Sequence, residues 1–412
     1  MSLRFWLVLA SAHGGAVQIN FKEDFEMATA VKVKTNERSE KSASGGIVCQ
    51  VGALRDALAR AKLAAKRNAS IPQHECVRIK AVGGKMTLQC NADVAISTTV
   101  SVIKFEPIDC LVSAERLLGI LKTLHAASDV LLRLDGTGLV VTCTRSTWIL
   151  QTVEDTASPE ALSEKKFPLF GKFIGEHFVR VLNHVCFACE MGSTRYALGG
   201  VFFERTKSKI IIVATDGRRM CTEILDNDGG EVEMSCLVPM HVILMLMRVS
   251  GSGSVAMRVG AHGARFDISH DDGEETTVAS AMLAGSFPKW RSVLPTAGVV
   301  STTTLSRDSF LSAVRQAAIT TSDESRGIKM SDSGLLMIMS GMSQEIGQST
   351  VFVEVESMGA DVAINIDPNC VVDWLSSLDV ASSVVIDLID DKSAMVLKSD
   401  TATCVVMPIS KE

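Results

Sequence analysis

The residues of this sequence that could perform chemistry are few, and the first candidates are a histidine and two cysteines near position 185. His184, Cys186 and Cys189 could bind a metal ion or supply a reactive thiol, because imidazole and thiolate groups are common ligands and nucleophiles. The two cysteines lie three residues apart on a predicted helix, however, and no second cysteine pair follows at zinc-site spacing. Burial in a helical core explains this cluster better than a metal site does.

Other candidate clusters have equally simple explanations. Cys236 and His241 do not have the features of a nucleophile and base pair, and the sequence has neither a phosphate-binding loop nor a nucleophile elbow. Asp390-Asp391 and the acidic segment 226–230 could hold a divalent ion, but turn formation accounts for both. We therefore predict no catalytic residue, no metal and no cofactor.

Composition describes a folded chain of several domains. The 412 residues are 47% hydrophobic and 21% charged, which excludes a disordered chain, and no apolar run is long enough to span a membrane. The odd number of cysteines, 11, favours a reducing cytoplasm over a secreted disulfide scaffold. Arg4 and the apolar residues after it weakly imitate an export signal, but Met27 begins a more ordinary amino terminus, so residues 1–26 would lie outside the fold.

Amphipathic helices alternate with predicted strands at a nearly constant interval. Helices are predicted at 51–67, 113–125, 172–188, 239–249, 306–318 and 368–378. Their starts recur about every 60 residues, which indicates an internal repeat. Two helices and their strands per domain give three domains of an α+β class, with antiparallel sheets covered on one face by helices. The predicted ranges are an extension at 1–45 and domains at 46–160, 166–297 and 301–412.

Positive charge is concentrated on the helices, although the whole chain has a net charge of −6. The first helix contributes most of it, through Arg55, Arg60, Lys62, Lys66 and Arg67. Ordinary solvated helix faces would explain this pattern. A local basic surface for a polyanion on an otherwise acidic body would explain it as well.

Four segments stand out in the sequence. They are Arg195-Tyr196-Ala197-Leu198-Gly199-Gly200, Val213-Ala214-Thr215-Asp216-Gly217-Arg218-Arg219-Met220, the segment 287–295 (FPKWRSVLP) and Val405-Val406-Met407-Pro408-Ile409. In this order and spacing they resemble segments of the bacterial DNA polymerase III beta subunit, the sliding clamp, whose hallmark is matched by residues 213–220. The resemblance covers about residues 46–412. It implies a head-to-tail homodimer that closes into a ring of six domains, with helices lining a hole for double-stranded DNA of any sequence and sheets on the rim.

The resemblance also implies sites. Taken alone, residues 215–219 would be a plain turn; in the family they form one wall of a pocket for short peptides. The implied pocket consists of Leu198, Thr215, Gly217, Arg218, Arg219, Met220, Pro288, Val293, Val405, Met407, Pro408 and Ile409. Arg218 stands where the family has a histidine, and the carboxyl terminus departs from the family pattern, so the preferred peptide is open.

Further positions match family contacts with DNA and with the second subunit. Together with the basic first helix, the implied DNA-binding set is Arg55, Arg60, Lys62, Lys66, Arg67, Arg195, Tyr196 and Arg291. Ala197 and Ser292 replace an aromatic and a basic residue of the family, which predicts fewer direct contacts with the duplex. Ile319 and Thr320 match the dimer interface, and the polar Thr320 predicts a looser dimer.

The implied function is a non-enzymatic processivity factor in the cytoplasm, associated with the nucleoid. Its implied partners are a second copy, duplex DNA, the DNA polymerase III alpha subunit, the clamp loader, and repair polymerases and mismatch-repair proteins that carry short linear motifs. Two alternatives stay open from the sequence. One is a cysteine- or metal-dependent hydrolase on a repeated scaffold. The other is a monomeric peptide-binding scaffold that no longer encircles DNA.

Overall fold

The computed structural model describes residues 45–136, 138–154, 167–190, 198–227, 232–295, 298–322 and 327–409. The predicted extension at 1–45 therefore lies outside the described residues except for Gly45. The predicted boundary between the first two domains, at 160–166, also lies outside them. In the described part, no helix is both long and apolar enough to cross a membrane.

Six α-helices are present in the described residues, one near each predicted start. They are α1 Val51–Ala61, α2 Ala114–Lys122, α3 Gly175–Cys186, α4 Met240–Val249, α5 Arg307–Ala318 and α6 Pro368–Ser377. Side-chain caps fix three of the amino termini, because Ser113, Ser306 and Asp367 accept hydrogen bonds from the first-turn N–H groups of α2, α5 and α6. Ser113 is the residue at which the second helix is predicted to begin.

The first helix is shorter than predicted. A single 3-10 turn, Lys62–Ala64, follows α1, and the backbone of Ala65 is already extended. The Lys66 N–H donates to the carbonyl of His74 at 2.9 Å, and Asn68 has a φ of 53°. These contacts turn the chain back before Pro72, so Lys66 and Arg67 lie on a loop and not on the helix.

The third helix begins later than predicted. Lys172 lies in a strand that ends at Ile174, because the backbone there pairs with residues 254–258. Gly175 then starts α3 in close contact with the chain at Gly251, where a Cβ would lie only 2.4 Å from the carbonyl oxygen. At the other end, Cys189 lies beyond the last helical residue, Cys186. The two cysteines therefore do not share the helix as predicted.

Twenty-five β-strands are present in the described residues. Those before the third helix are β1 Ile47–Gln50, β2 Cys76–Val82, β3 Lys85–Asn91, β4 Val94–Val100, β5 Ile108–Ser113, β6 Asp129–Asp135, β7 Gly138–Cys143, β8 Ser146–Leu150 and β9 Leu169–Ile174. The middle group is β10 Gly200–Arg205, β11 Lys209–Thr215, β12 Arg219–Asp226, β13 Met234–Pro239, β14 Ser254–Val259, β15 Gly263–Ser269 and β16 Glu275–Ala281. The last group is β17 Ser301–Ser306, β18 Ile328–Asp332, β19 Leu336–Ser343, β20 Gly347–Glu354, β21 Glu356–Gly359, β22 Ala363–Ile366, β23 Ser383–Leu388, β24 Met395–Ser399 and β25 Ala402–Val406.

The strands form four antiparallel sheets. Two sheets have four strands, in the orders β1-β6-β7-β8 and β20-β19-β18-β22; the larger sheets have eight strands, β5-β2-β3-β4-β16-β15-β14-β9, and nine, β13-β10-β11-β12-β25-β24-β23-β17-β21. Apolar side chains alternate along most strands and pack under the helices into one large core, with a second, small hydrophobic cluster beside it. The predicted α+β class, with antiparallel sheets and two helices per repeat, is confirmed.

Each of the two large sheets continues from one repeat into the next. Pairing of β4 with β16 joins strands of the first and middle groups, and pairing of β12 with β25 joins the middle and last groups. The register of the second junction sets Met220 opposite Val405 and Arg219 opposite Val406. Two of the segments that carry the family resemblance, more than 180 positions apart, therefore lie side by side.

Candidate functional site

A cavity of about 640 Å³ lies at the junction of β12 and β25. Its lining comes from five separate parts of the chain. The lining residues are Leu198, Thr215, Gly217, Arg218, Arg219, Met220, Pro288, Trp290, Ser292, Val293, Leu294, Pro295, Ile389, Lys392, Ser393, Ala394, Val405 and Met407.

The floor of the cavity is apolar and firmly packed. Met220, Val405 and Trp290 are buried in a small hydrophobic cluster of their own, beside the stacked rings of Phe202 and Phe287. At the mouth, Met407 is 43% exposed. A fixed apolar floor with an exposed, flexible Met side chain above it suits apolar anchors of a ligand, because Met adapts its shape to different partners.

The turn between β11 and β12 forms one wall. The Thr215 hydroxyl donates to the carbonyl of Arg219 at 2.6 Å and accepts from the N–H of Gly217. The Asp216 carboxylate accepts from the N–H groups of Arg218 and Arg219, both at 2.9 Å. Gly217 has a φ of 88°, a conformation that glycine adopts without strain. The segment is thus a tight turn, as its residues suggest, and it is also a wall of the cavity.

Arg219 holds this wall to two helices. Its guanidinium donates to Asp216, to Asp373 on α6 at 2.7 Å, and to the carbonyl of Phe187 at the end of α3 at 3.0 Å. It also lies over the Phe187 ring, 5.1 Å from the centroid. With its charge fully engaged, Arg219 positions the cavity and is not free to recognise a ligand by charge.

Most of the implied pocket residues line this one cavity, and two do not. Pro408 and Ile409 are absent from the lining, because the chain leaves the cavity after Met407 and the Ile409 N–H bonds the carbonyl of Asn365 on β22. That this cavity binds peptides stays a prediction.

Eight lining residues were missed by the sequence analysis. Trp290, Ser292, Leu294 and Pro295 belong to the quoted segment 287–295, so the motif could have indicated them. Ile389, Lys392, Ser393 and Ala394 come from the loop between β23 and β24. Nothing in that loop's own sequence places it opposite β12.

The proposed DNA-binding residues of the first repeat are paired with carboxylates. Arg60 bonds Glu274 from the middle repeat, Lys62 bonds Glu115, and Lys66 bonds Asp93 at 2.6 Å; Arg55 bonds Asp56, and Arg67 lies 3.7 Å from Glu115. The surface is therefore less cationic than the count of Lys and Arg indicates. Arg67 has the most exposed side chain of the five, at 84%.

The remaining implied positions are of three kinds. Arg195 and Tyr196 lie outside the described residues. Arg291 stacks over Trp290 at 4.2 Å and bonds Glu204. Ile319, at the end of α5, is 72% exposed, and the hydroxyl of Thr320 lies 2.8 Å from that of Ser349 on β20. No observation tests the roles of these residues.

Burial disfavours the thiolate form of several cysteines. All 11 are buried, and burial raises the pKa of Cys49, Cys90 and Cys189 to about 12. A nucleophile or metal ligand needs the opposite shift. In the described residues, no three His, Cys, Asp or Glu side chains are grouped as metal ligands would be. The Asp390 carboxylate accepts from the N–H groups of Lys392 and Ser393, as turn formation predicts.

Comparison with known proteins gives a consistent result. Residues 173–289 match the family model of the DNA polymerase III beta subunit, central domain, and residues 291–410 match that of its C-terminal domain. The chain is 24% identical over 306 residues to the beta sliding clamp of Proteus mirabilis, covering 72% of this chain and 81% of that protein. It is 27% identical over 314 residues to the beta sliding clamp of Pseudomonas aeruginosa, covering 74% and 82%.

Solved structures agree on the fold. The crystal structure of the DNA polymerase III subunit beta from Pseudomonas aeruginosa superposes with a TM-score of 0.82 at 24% identity, covering 89% of this chain and 100% of that one. The DNA polymerase III beta subunit from Thermotoga maritima gives a TM-score of 0.78 at 18% identity, with the same coverage. At these identities the likeness establishes the fold of the chain.

Proposed function

The chain belongs to the DNA polymerase III beta subunit family, and we propose that it is a sliding clamp that encircles duplex DNA and tethers the replicative polymerase. The observation that carries this proposal is the sheet arrangement, in which three repeats are joined by continuous pairing at β4–β16 and β12–β25. We propose that the clamp domains are residues 46–160, 166–297 and 301–412.

Closure of a ring requires a third kind of junction, between two chains. In the described residues, β8 and β20 are each the outermost strand of a four-stranded sheet. Joining β8 of one subunit to β20 of another would give an eight-stranded sheet, like the larger sheets within the chain. Exposed apolar residues support burial at this edge, since Phe352 on β20 is 61% exposed and Ile149 on β8 is 54% exposed. A head-to-tail homodimer with two such junctions would pair β8 and β20 of both subunits and close the ring.

DNA would be held by topology and by weak contacts with phosphates. Such contacts carry no sequence information, which suits a protein that moves along any sequence. The ion pairs of the first repeat weaken the expected DNA binding, because Lys66 and Arg67 must each leave a carboxylate before they can bind a phosphate. The contacts should therefore be weak and sensitive to salt.

The cavity at the β12–β25 junction would receive short linear motifs from partner proteins. We propose the DNA polymerase III alpha subunit, the clamp loader, repair polymerases and mismatch-repair proteins as these partners. The apolar floor and the exposed Met407 support this assignment. The protein would act in the cytoplasm at the nucleoid, as a processivity factor that makes and breaks no covalent bonds and binds no cofactor.

The decisive experiment measures retention on circular and linear DNA. The protein is loaded onto nicked plasmid by its cognate clamp loader, freed from unbound protein by gel filtration, and divided; one half is cut once with a restriction enzyme. A ring should stay on the circle and leave the linear product through its ends. Equal retention on both would contradict encirclement. A mass near 44 kDa in solution at micromolar concentration would favour a monomeric scaffold instead.

A further inference from the structure

One face of the nine-stranded sheet carries the segment 287–295, which supplies part of the cavity lining. Strand β10 places Phe202 and Glu204 on this face, because side chains two residues apart on a strand point to the same side. The Phe202 ring stacks on the Phe287 ring, with 4.7 Å between the centroids and 2° between the planes. Further along the segment, Trp290 is buried in the hydrophobic cluster of the cavity floor. The segment therefore lies over β10 and reaches from there to the cavity.

Glu204 ties this segment to the sheet by hydrogen bonds. Its carboxylate accepts from the indole N–H of Trp290 at 3.3 Å and from Nη1 of Arg291 at 3.1 Å. The Arg291 guanidinium also lies over the Trp290 ring, 4.2 Å from its centroid. Within the described part of the chain, the other hydrogen bonds of the 3-10 turn Trp290–Val293 join neighbours in the same segment. Glu204 is thus the residue of the sheet to which this turn is hydrogen-bonded.

Glu204 and Arg291 hold the segment from outside the cavity. Neither lines it, whereas Trp290, Pro288 and Val293 do. Trp290 is only 6% exposed, and a buried indole N–H needs an acceptor. Without the Glu204 carboxylate this donor would have to turn toward water, and the ring would leave the position in which it completes the floor.

The same contacts give Arg291 a role that differs from the one implied by the family resemblance, which is a DNA contact. Its Nη1 lies 3.0 Å from Oε2 of Glu204, and its guanidinium is stacked on Trp290. To bind a phosphate, Arg291 would have to give up both interactions. Its contacts in the structure stabilise the cavity floor instead.

We infer that Glu204 is a positioning residue for peptide binding, which holds the segment 287–295 in place through Trp290 and Arg291, and that Arg291 serves the cavity and not DNA. This inference rests on the proposed function, since it concerns the same cavity. The carboxylate matters as an acceptor more than as a charge. Its ion pair with Arg291, whose side chain is 53% exposed, contributes little in water, whereas its bond to the buried indole is shielded.

The test measures the affinity of a labelled peptide of the type Gln-x-x-Leu-Phe by fluorescence anisotropy. Glu204→Ala removes the acceptor, and the affinity should fall about threefold to tenfold, the range that the loss of one hydrogen bond produces. Glu204→Gln keeps an acceptor for the indole N–H and should recover most of the affinity. Asp226→Ala is the matched control, because it removes a carboxylate of the same sheet that is paired with Lys209 and does not line the cavity. It should bind the peptide as wild type does.

Two further measurements separate positioning from a general loss of stability. Trp290→Phe removes the N–H donor, so Glu204→Ala should have little additional effect on affinity in that background, because both changes break one interaction. The difference between the emission spectra of wild type and Trp290→Phe isolates the fluorescence of Trp290. The same difference in the Glu204→Ala background should lie at longer wavelength and be quenched more strongly by acrylamide, because the ring is then more exposed to water.

A second ligand tests the role of Arg291. Arg291→Gln should weaken peptide binding about twofold to fivefold, the range expected for a lost cation–π contact at a partly exposed site. It should bind a short labelled DNA duplex at low salt as wild type does. Lys66→Gln with Arg67→Gln should show the opposite pattern, with weaker duplex binding and unchanged peptide binding.

Each outcome decides a different point. If wild type binds the peptide and Glu204→Ala binds it equally tightly, or if Glu204→Ala has its full effect in the Trp290→Phe background, the inference is wrong and the cavity still binds peptides. If Arg291→Gln loses duplex affinity and keeps peptide affinity, Arg291 contacts DNA and its assignment to the cavity is wrong. If wild type binds no peptide, the peptide-binding part of the proposed function fails together with the inference. Retention on circular DNA is measured separately and reports on encirclement alone.

Discussion

Arg219 on β12 and Asp373 on α6 are joined by a 2.7 Å hydrogen bond between Nη1 and Oδ2 that links the middle and last repeats beneath the cavity. The same guanidinium bonds Asp216 in the β11–β12 turn and the carbonyl of Phe187 on the α3 side. One side chain therefore fixes the turn, both helices and the strand junction. Arg219 therefore contributes to the cavity by holding these elements in place, and not by contacting a ligand.

Replacement of Arg219 by Met should destabilise the protein and loosen the cavity. Asp216 would lose its partner in a site where its side chain is only 20% exposed, and hydrogen bonds to charged groups contribute about 1.5–3 kcal/mol each. We expect a loss of about 2 kcal/mol or more in urea unfolding, together with weaker peptide binding.

Arg180→Met is the matched control for that experiment. Arg180 lies 3.9 Å from Asp379 with its side chain 54% exposed, so its removal should change stability by less than about 0.5 kcal/mol. Equal stabilities of the two variants would show that the Arg219 contacts are not important for the junction.

Truncation of Met407 should weaken peptide binding without affecting the dimer. Met407 lies at the mouth of the cavity, and a few anchor contacts usually supply most of the affinity of such a site, so a single truncation costs about 1–2 kcal/mol. Met407→Ala should lower peptide affinity roughly tenfold in fluorescence anisotropy, and addition of Leu198→Ala should lower it further. Met342→Ala, which removes an exposed Met on β19, should change nothing. Unchanged affinity in the Met407, Leu198 double variant would refute the assignment of the cavity.

Much of the fold could be predicted from local patterns. The Gly83-Gly84 hairpin forms as its residues require, with φ values of 62° and 84°, and the six helices begin near the predicted positions because apolar spacing and caps are local signals. The cavity could be predicted only in part. Its lining loop at Ile389 and Lys392 has no local pattern that reveals its neighbours. The pairing of Arg60 with Glu274, 214 positions away, is likewise visible only once β4 and β16 are joined.

That pairing changes how the DNA surface should be tested. Reversal of Arg60, Lys62 and Lys66 to Glu would weaken DNA-stimulated synthesis, but Arg60→Glu would also place two carboxylates together where Glu274 is 6% exposed. Burial already raises the pKa of Glu274, and an unpaired buried charge costs about 3–5 kcal/mol. The triple variant should therefore lose stability as well, and its failure would not identify a DNA contact.

The exposed cations give a cleaner test. Lys66→Gln with Arg67→Gln should leave thermal stability unchanged and reduce processive synthesis by the cognate polymerase, most clearly at about 200 mM salt. Lys80→Gln with Lys85→Gln removes two exposed cations from strands β2 and β3 of the same repeat and should have no effect. Equal synthesis by both double variants, at every salt concentration, would argue against a DNA contact at Lys66 and Arg67.

Asp332 should make the last repeat sensitive to acid. Its buried carboxylate accepts from Thr303 at 2.6 Å, from Ser301 at 3.2 Å, from Ser357 and from the N–H of Gly334. Burial alone would raise its pKa, but these hydrogen bonds outweigh it and lower the pKa below the ordinary value.

A lowered folded pKa means that the contribution to stability is complete above the unfolded pKa of about 3.9 and is lost as pH falls through the folded value. Asp332→Asn should cost about 1–3 kcal/mol at neutral pH and should show a smaller decline of stability below about pH 4 than wild type. Parallel pH profiles for the two proteins would show that Asp332 does not contribute.

The dimer should depend on the exposed end of α5. Ile319 is 72% exposed there, and the neighbouring Thr320 is tied to the edge strand β20 through Ser349, with 2.8 Å between the hydroxyl oxygens. Ile319→Asp should place a charge at the edge that must be buried when β20 meets β8 of a second chain, and burial of an unpaired charge is costly. In light scattering at micromolar concentration the variant should be a monomer while wild type is a dimer, and it should lose retention on circular DNA.

Val380→Asp adds the same charge at another exposed apolar position, 68% exposed, and should stay dimeric. If Ile319→Asp dimerises as wild type does, the interface lies elsewhere. The peptide affinity of the variant should equal that of wild type in either case, and measuring it shows that the variant is folded.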